Sequence, residues 1–126
     1  MANWFQDKVV WITGSSSGIG EATAYRFAQE SAKLILTALE EDILQKVKEK
    51  CLSLGAPAVE ILPFDLSQTE QLEELAAKAW DSFGRIDVFY NNAGISQRAT
   101  TIETQMSVIR KVMDCKEYYN KENRYD

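Results

Sequence analysis

Four short apolar runs, separated by stretches of helical period and with no hairpin turn joining any two of them, dominate the first ninety residues of the chain. Val9-Val10-Trp11-Ile12-Thr13 stops at a glycine-rich turn, which is how a strand buried on both faces reads. Residues 19 to 30 then carry Ile19, Thr23, Phe27 and Ala28 at helical spacing, and Leu34-Ile35-Leu36 follows as a second buried strand. Ile43, Leu44, Val47, Cys51 and Leu54 form one helical stripe; Gly55 stands where a left-handed residue would close that helix, and Pro57 blocks its continuation. Val59 to Phe64 reads as a third strand. Ser67-Gln68-Thr69-Glu70 has the form of a capping box, and Leu72, Leu75, Ala76, Ala79, Trp80 and Phe83 line the buried face of the helix it opens. Gly84 ends that helix, and Ile86 to Tyr90 is the fourth apolar run.

Strands joined through amphipathic helices imply right-handed crossovers and a parallel sheet covered by helices, so the class is α/β, doubly wound. The chain has 126 residues, 45% hydrophobic and 26% charged, the composition of an ordinary globular domain. A domain of this size buries roughly two-thirds of the surface its unfolded chain exposes. No repeat or linker interrupts the chain before residue 100. After Met113 the character changes to charged and tyrosine-rich residues without a sustained apolar face, which sets the expected division at 1–114 for the folded unit and 115–126 for a divergent polar tail.

Several function classes drop out. A net charge of -5 gives no basic footprint for nucleic acid. Cys51 and Cys115 form no Cys-x-x-Cys pair and the chain has no histidine, so no metal site is expected. No segment approaches the roughly 18 apolar residues of a membrane span, and the N-terminus has no leader pattern, which makes the cytoplasm the expected location. Trp4 is expected at the surface and Trp11 and Trp80 in the core, and both cysteines are read as inert side chains.

The chemistry concentrates at the strand ends. Thr13-Gly14-Ser15-Ser16-Ser17-Gly18-Ile19-Gly20 lies between the first strand and the first helix, where glycines let the backbone turn tightly and approach a pyrophosphate held on free N–H groups at the helix start. Its spacing is Gly-x3-Gly-x-Gly, neither the commoner Gly-x-Gly-x-x-Gly pattern nor a Walker loop. The third run ends in Asp65-Leu66-Ser67 and the fourth in Asn91-Asn92-Ala93-Gly94. In an open parallel sheet, ligands bind outside the strand carboxyl ends where strand order reverses, so the three segments converge on one crevice.

In this combination and order the chain resembles the short-chain dehydrogenase/reductase family over residues 7 to 114. The resemblance implies an incomplete Rossmann-type sheet of about four strands with flanking helices. It also implies an NAD(P)-dependent oxidoreductase acting on a small alcohol or carbonyl substrate. By the same resemblance, Gly14, Ser16, Gly18, Ile19 and Gly20 form the loop that holds the cofactor's phosphates and adenosine side. Asp65 and Leu66 stand beside the adenine ring, and Asn92, Ala93 and Gly94 lie under the adenosine ribose. Asn91 is either a strand-end structural amide or a ligand contact.

The choice between NAD and NADP is made after the second strand, where an acid accepts from a ribose hydroxyl or an arginine pairs with a 2'-phosphate. Here Thr37-Ala38-Leu39-Glu40-Glu41 has Ala38 where NAD-preferring relatives tend to place aspartate and Leu39 where NADP-preferring ones often carry arginine. Glu40 either reaches the ribose or completes a helix capping box opened by Thr37, the second being the reading preferred, and the missing aspartate tilts the choice weakly toward NADP.

Hydride transfer at a carbonyl needs a proton donor or acceptor, which the family supplies as a tyrosine with a lysine four residues on. Four residues after Tyr25, Tyr90, Tyr118 and Tyr119 stand Gln29, Gly94, Glu122 and Asn123, and Lys116 falls where the family's helix asparagine would. No catalytic residue is therefore assigned. Lys116, Tyr118, Tyr119 and Lys121 are read as a solvated tail, and the loss of resemblance after Asp114 as a frame change or truncation. The alternative is a non-catalytic dinucleotide-binding or interaction module. A methyltransferase on a related sheet is disfavoured, because such proteins do not combine this glycine spacing with Asn-Asn-Ala-Gly. The fourth strand, left at an edge, is expected to promote self-association.

Overall fold

The computed structural model describes residues 4–16, 18–65, 68–92 and 106–116. Strand β1 (Val9–Thr13) leads to helix α1 (Gly18–Gln29), β2 (Lys33–Thr37), α2 (Glu41–Leu54) and β3 (Val59–Ile61). A short 3-10 turn (Thr69–Gln71) then opens α3 (Leu72–Phe83), which leads to β4 (Val88–Asn91). A further helix, α4, covers 106–116. The sheet order is β3-β2-β1-β4 and all three pairings are parallel, so the doubly wound α/β class holds. None of the helices among the described residues is long and apolar enough to cross a membrane.

Because side chains alternate along a strand, β1 feeds two separate cores. Val10 and Ile12 join Leu34 and Leu36 against Ala24 and Ala28 of α1 and Leu44, Val47 and Cys51 of α2. Val9 and Trp11 join Ile35 against Leu72, Leu75, Ala76 and Trp80 of α3 and Ile109 of α4. All five residues of β1 are buried, as a central strand between two helical layers requires. Trp11 sits opposite Ile35 on one side and Phe89 on the other. Its indole Nε1 donates to Thr37 Oγ1 at 2.9 Å, so the polar edge of this large ring is satisfied inside the core. Trp4 is exposed and Trp80 buried.

The boundaries differ from expectation in three places, each for a backbone reason. The third strand is regular only through Ile61, although the Leu62 and Phe64 amides still donate to the Leu36 and Ala38 carbonyls. Pro63 takes the alternate position, which faces away from β2 on the outer edge of the sheet, where a missing N–H breaks no ladder bond. The fourth strand begins at Val88 rather than Ile86; Asp87 precedes it, its amide donating to Val9 O and its Oδ2 accepting from Val9 N at 2.8 Å. Helix α3 starts at Leu72, with Gln71 at its cap and no side-chain capping bond; Thr69 and Glu70 lie in the 3-10 turn before it, and Ser67, which opens the expected capping box, lies outside the described residues. The helix ends fall as read: Gly55 (φ 126°) closes α2 and Gly84 (φ 76°) closes α3.

Candidate functional site

The chain leaves β1 toward β2 through α1 and reaches β4, on the other side of β1, only after α3. The order therefore reverses at the carboxyl ends of β1 and β4, which is where an open parallel sheet leaves a crevice.

The residues that close this place are hydrogen-bonded across the chain. Thr13 Oγ1 donates to Asn91 Oδ1 at 2.6 Å, and the Asn92 amide donates to Thr13 O at 3.2 Å. Asn92 Nδ2 donates to Gly14 O at 3.4 Å. Asn91 thus serves as a strand-end structural amide, the first of its two readings. On the opposite side, the amides of Gly14 and Ser15 and the Ser15 hydroxyl all point to Thr37 O, with Gly14 N at 2.8 Å. Both neighbouring strands anchor the loop after β1.

Two glycines show what this anchoring leaves room for. A Cβ on Gly20 would stand 2.0 Å from Gly14 O and 2.9 Å from Asn92 Nδ2, so the first turn of α1 lies directly against the loop and the β4 end. Gly18, at φ +60°, has nothing within 4 Å of where a Cβ would stand. Tight contact lies behind the loop and open space in front of it, with the N-terminal amides of α1 at the opening. An extended anionic group fits such a cradle, and a dinucleotide's pyrophosphate has that chemistry.

Gly14 and Ser16 lie in the loop after β1, Gly18, Ile19 and Gly20 in the first turn of α1, and Asn92 just past β4; Gly20 is buried and Ile19 has 61% of its surface exposed. Asp65 lies at the same end of the sheet, beyond β3, its carbonyl accepting from the Gln68 amide. Leu66, Ala93 and Gly94 lie outside the described residues.

Glu40 departs from its expected role. It stands at the α2 N-cap without a side-chain capping bond, and its Oε2 instead accepts from Ser16 Oγ at 2.9 Å. The pairing of β1 with β2 brings the loops that follow them together, although the two residues are 24 positions apart. Adjacency of those two strands is the signal that points to this contact; local capping patterns do not contain it. Ala38 is buried and Leu39 exposed.

Neither Tyr25 nor Cys51 has the electrostatics of an activated group. Burial, with the Tyr25 hydroxyl donating to Glu21 Oε2 at 2.7 Å, pushes the Tyr25 phenol up to about 12. Burial and the nearby Glu21 likewise push the Cys51 thiol up to about 12. Lys116 Nζ pairs with Asp81 Oδ1 of α3 at 3.5 Å, a contact between helices outside the crevice.

A family model described as short chain dehydrogenase matches residues 8–116. The human protein "Dehydrogenase/reductase SDR family member 7" is 40% identical over 111 residues, which are 86% of this chain and 33% of that protein. "11-beta-hydroxysteroid dehydrogenase A" of Sesamum indicum is 41% identical over 108 residues, 85% of this chain and 31% of that one. The chain therefore spans about a third of the length of these curated relatives. Among solved structures, a metagenomic short-chain oxidoreductase in complex with NADP superposes with a TM-score of 0.75 at 22% identity, covering 91% of this chain and 58% of that one. At that identity the likeness concerns the fold.

Proposed function

The chain belongs to the short-chain dehydrogenase family, and from that footing we propose that its 126 residues are the dinucleotide-holding part of an oxidoreductase that moves hydride between NAD(P) and a small alcohol or carbonyl compound. The observation that carries the reading is the loop from Gly14 to Gly20, fixed from behind by Thr37 and Asn92 and open in front at Gly18. In this reading the backbone amides of Gly18, Ile19 and Gly20 hold the pyrophosphate at the positive end of α1. Asp65 and Leu66 border the adenine, and Asn92, Ala93 and Gly94 lie beneath its ribose. When bound, the nicotinamide supplies or accepts the hydride.

The proton that accompanies hydride transfer needs a general acid or base, which the family supplies as a tyrosine with a lysine four residues on, and no tyrosine of this chain has that lysine. Tyr25, whose Glu21 contact holds the proton, has the opposite electrostatics. We therefore assign these residues binding without turnover. The same loop, open at Gly18, would also serve a second reading, a nucleotide-binding or interaction module. A version extended to the relatives' length distinguishes the two, since only an oxidoreductase would oxidise NAD(P)H in the presence of carbonyl compounds.

Calorimetric titration of the 126-residue chain with NADH and NADPH, paired with thermal unfolding, tests the reading. Binding confined to the folded state raises stability by about 2.7 kcal/mol at a hundredfold excess over Kd. Saturable one-site binding with that rise is expected. Absence of heat and of any shift with both nucleotides, in a chain that unfolds cooperatively, would overturn it.

A further inference from the structure

Among the described residues, the corner between the loop after β1 and the end of β2 contains few groups able to recognise a ribose. Ala38 is turned into the core and Leu39 is an exposed aliphatic. Ser16 Oγ and Glu40 Oε2 supply the polar chemistry, joined at 2.9 Å. Glu40 is exposed and not used as a cap, and among the described residues no Lys or Arg forms an ion pair with it. The next two residues, Glu41 and Asp42, add negative charge in the first turn of α2.

We propose that Glu40, positioned by Ser16, makes this site select NAD(H) against NADP(H). The inference rests on the reading of the crevice as a dinucleotide site and adds its specificity. A ribose 2'-hydroxyl arriving at this corner can donate to the Glu40 carboxylate. A 2'-phosphate, with a charge of about -1.5 to -2, arrives as acceptor oxygens facing an acceptor of the same charge. Ser16 cannot relieve this, because its one proton is already given to Glu40, and the stretch from Thr37 to Asp42 carries no arginine to pair with a phosphate. The tilt toward NADP that follows from the absent aspartate at position 38 is thereby reversed: the acid comes from two residues further on and reaches back across the loop.

Separate calorimetric titrations of the 126-residue chain with NADH and NADPH provide the test. The wild type is expected to bind NADH about tenfold more tightly at low salt, from the repulsion between two charges a few ångströms apart near a surface. That ratio is expected to shrink as added salt screens the pair. Glu40→Gln should narrow the ratio and Glu40→Arg should invert it. Leu39→Arg, which adds a cation while keeping Glu40, should raise NADPH affinity less than Glu40→Arg does. Melting curves of each variant confirm folding, and both positions are exposed. Equal or tighter NADPH binding by the wild type, or a ratio unmoved by Glu40→Arg, would overturn the specificity and leave the dinucleotide reading intact. No binding of either nucleotide would overturn both.

Discussion

Gly18 and Gly20 lie two residues apart and lack side chains for opposite reasons. At Gly20 a methyl group would meet the Gly14 carbonyl, which is tied through the Gly14 amide to β2 and has little freedom to retreat. Gly20→Ala is therefore expected to lower stability by about 1–3 kcal/mol, the usual cost of overpacking, in urea unfolding; an unchanged midpoint would show that the loop moves aside. Gly18→Ala meets no atom but must hold φ near +60°, costing about 1–2 kcal/mol. Because its methyl would stand in the opening, the larger effect is expected on nucleotide affinity, a pattern that calorimetry and melting together separate. Asp87 gives a pH dependence. Burial alone would raise its carboxyl, but the Arg85 guanidinium, the Val9 amide and the charge of Lys8 together outweigh burial and hold it below the usual carboxylate range. A depressed folded value means stability present above the unfolded carboxyl's range and lost as pH falls through the folded one. Asp87→Asn should remove part of the acid-side loss and cost about 1 kcal/mol at neutral pH, with the solvent-screened Arg85 pair contributing less than the Val9 bond. An unchanged acid limb in a pH series of melts would contradict this.

At the scale of elements, what the sequence made legible is what depends on near neighbours. Apolar runs gave β1 and β2, helical spacing gave α1 to α3, and Gly55 and Gly84 marked where α2 and α3 close. The loop glycines and Asn92 stood out by spacing. What escaped was set by strand order, which no local window contains: Thr13 with Asn91 across 78 positions and Ser16 with Glu40 across 24. The capping-box reading of Glu40 failed for a related reason, since a side-chain oxygen at a helix start bonds whichever donor the fold brings closest, and at Glu40 that donor is in another loop. Helix α4 buries Ile109 beside Val108, Val112 and Met113 in the second core, an apolar face that a reading centred on strand alternation passes over. One bond links core to site: Trp11 Nε1 to the hydroxyl of Thr37, whose carbonyl anchors the loop. Trp11→Phe is expected to cost about 1–3 kcal/mol, through the buried Thr37 oxygen left with one partner fewer, and a loss below about 0.5 kcal/mol by urea unfolding would argue against that link.

For the whole molecule, the sheet is asymmetric. β1 and β2 are buried between helices, while β4 pairs only with β1 among the described residues and leaves Tyr90 exposed at the edge. An edge with open backbone groups and apolar side chains invites pairing with another chain. Taken alone, the 126-residue chain is expected to self-associate with rising concentration in sedimentation experiments, and Tyr90→Lys to suppress this; a monomer with one sharp unfolding transition at all concentrations would contradict it. The relatives are about three times as long as the matched region, and the role proposed for these residues is nucleotide holding. The most direct measurement of that claim is a two-dimensional amide NMR titration of the chain with NADH. The account predicts saturable shifts concentrated at Gly14, Ser16, Gly18, Ile19, Gly20, Glu40 and Asn92. Shifts confined instead to the outer groove lined by Glu73, Lys111 and Cys115, or no shifts in a folded chain, would contradict it.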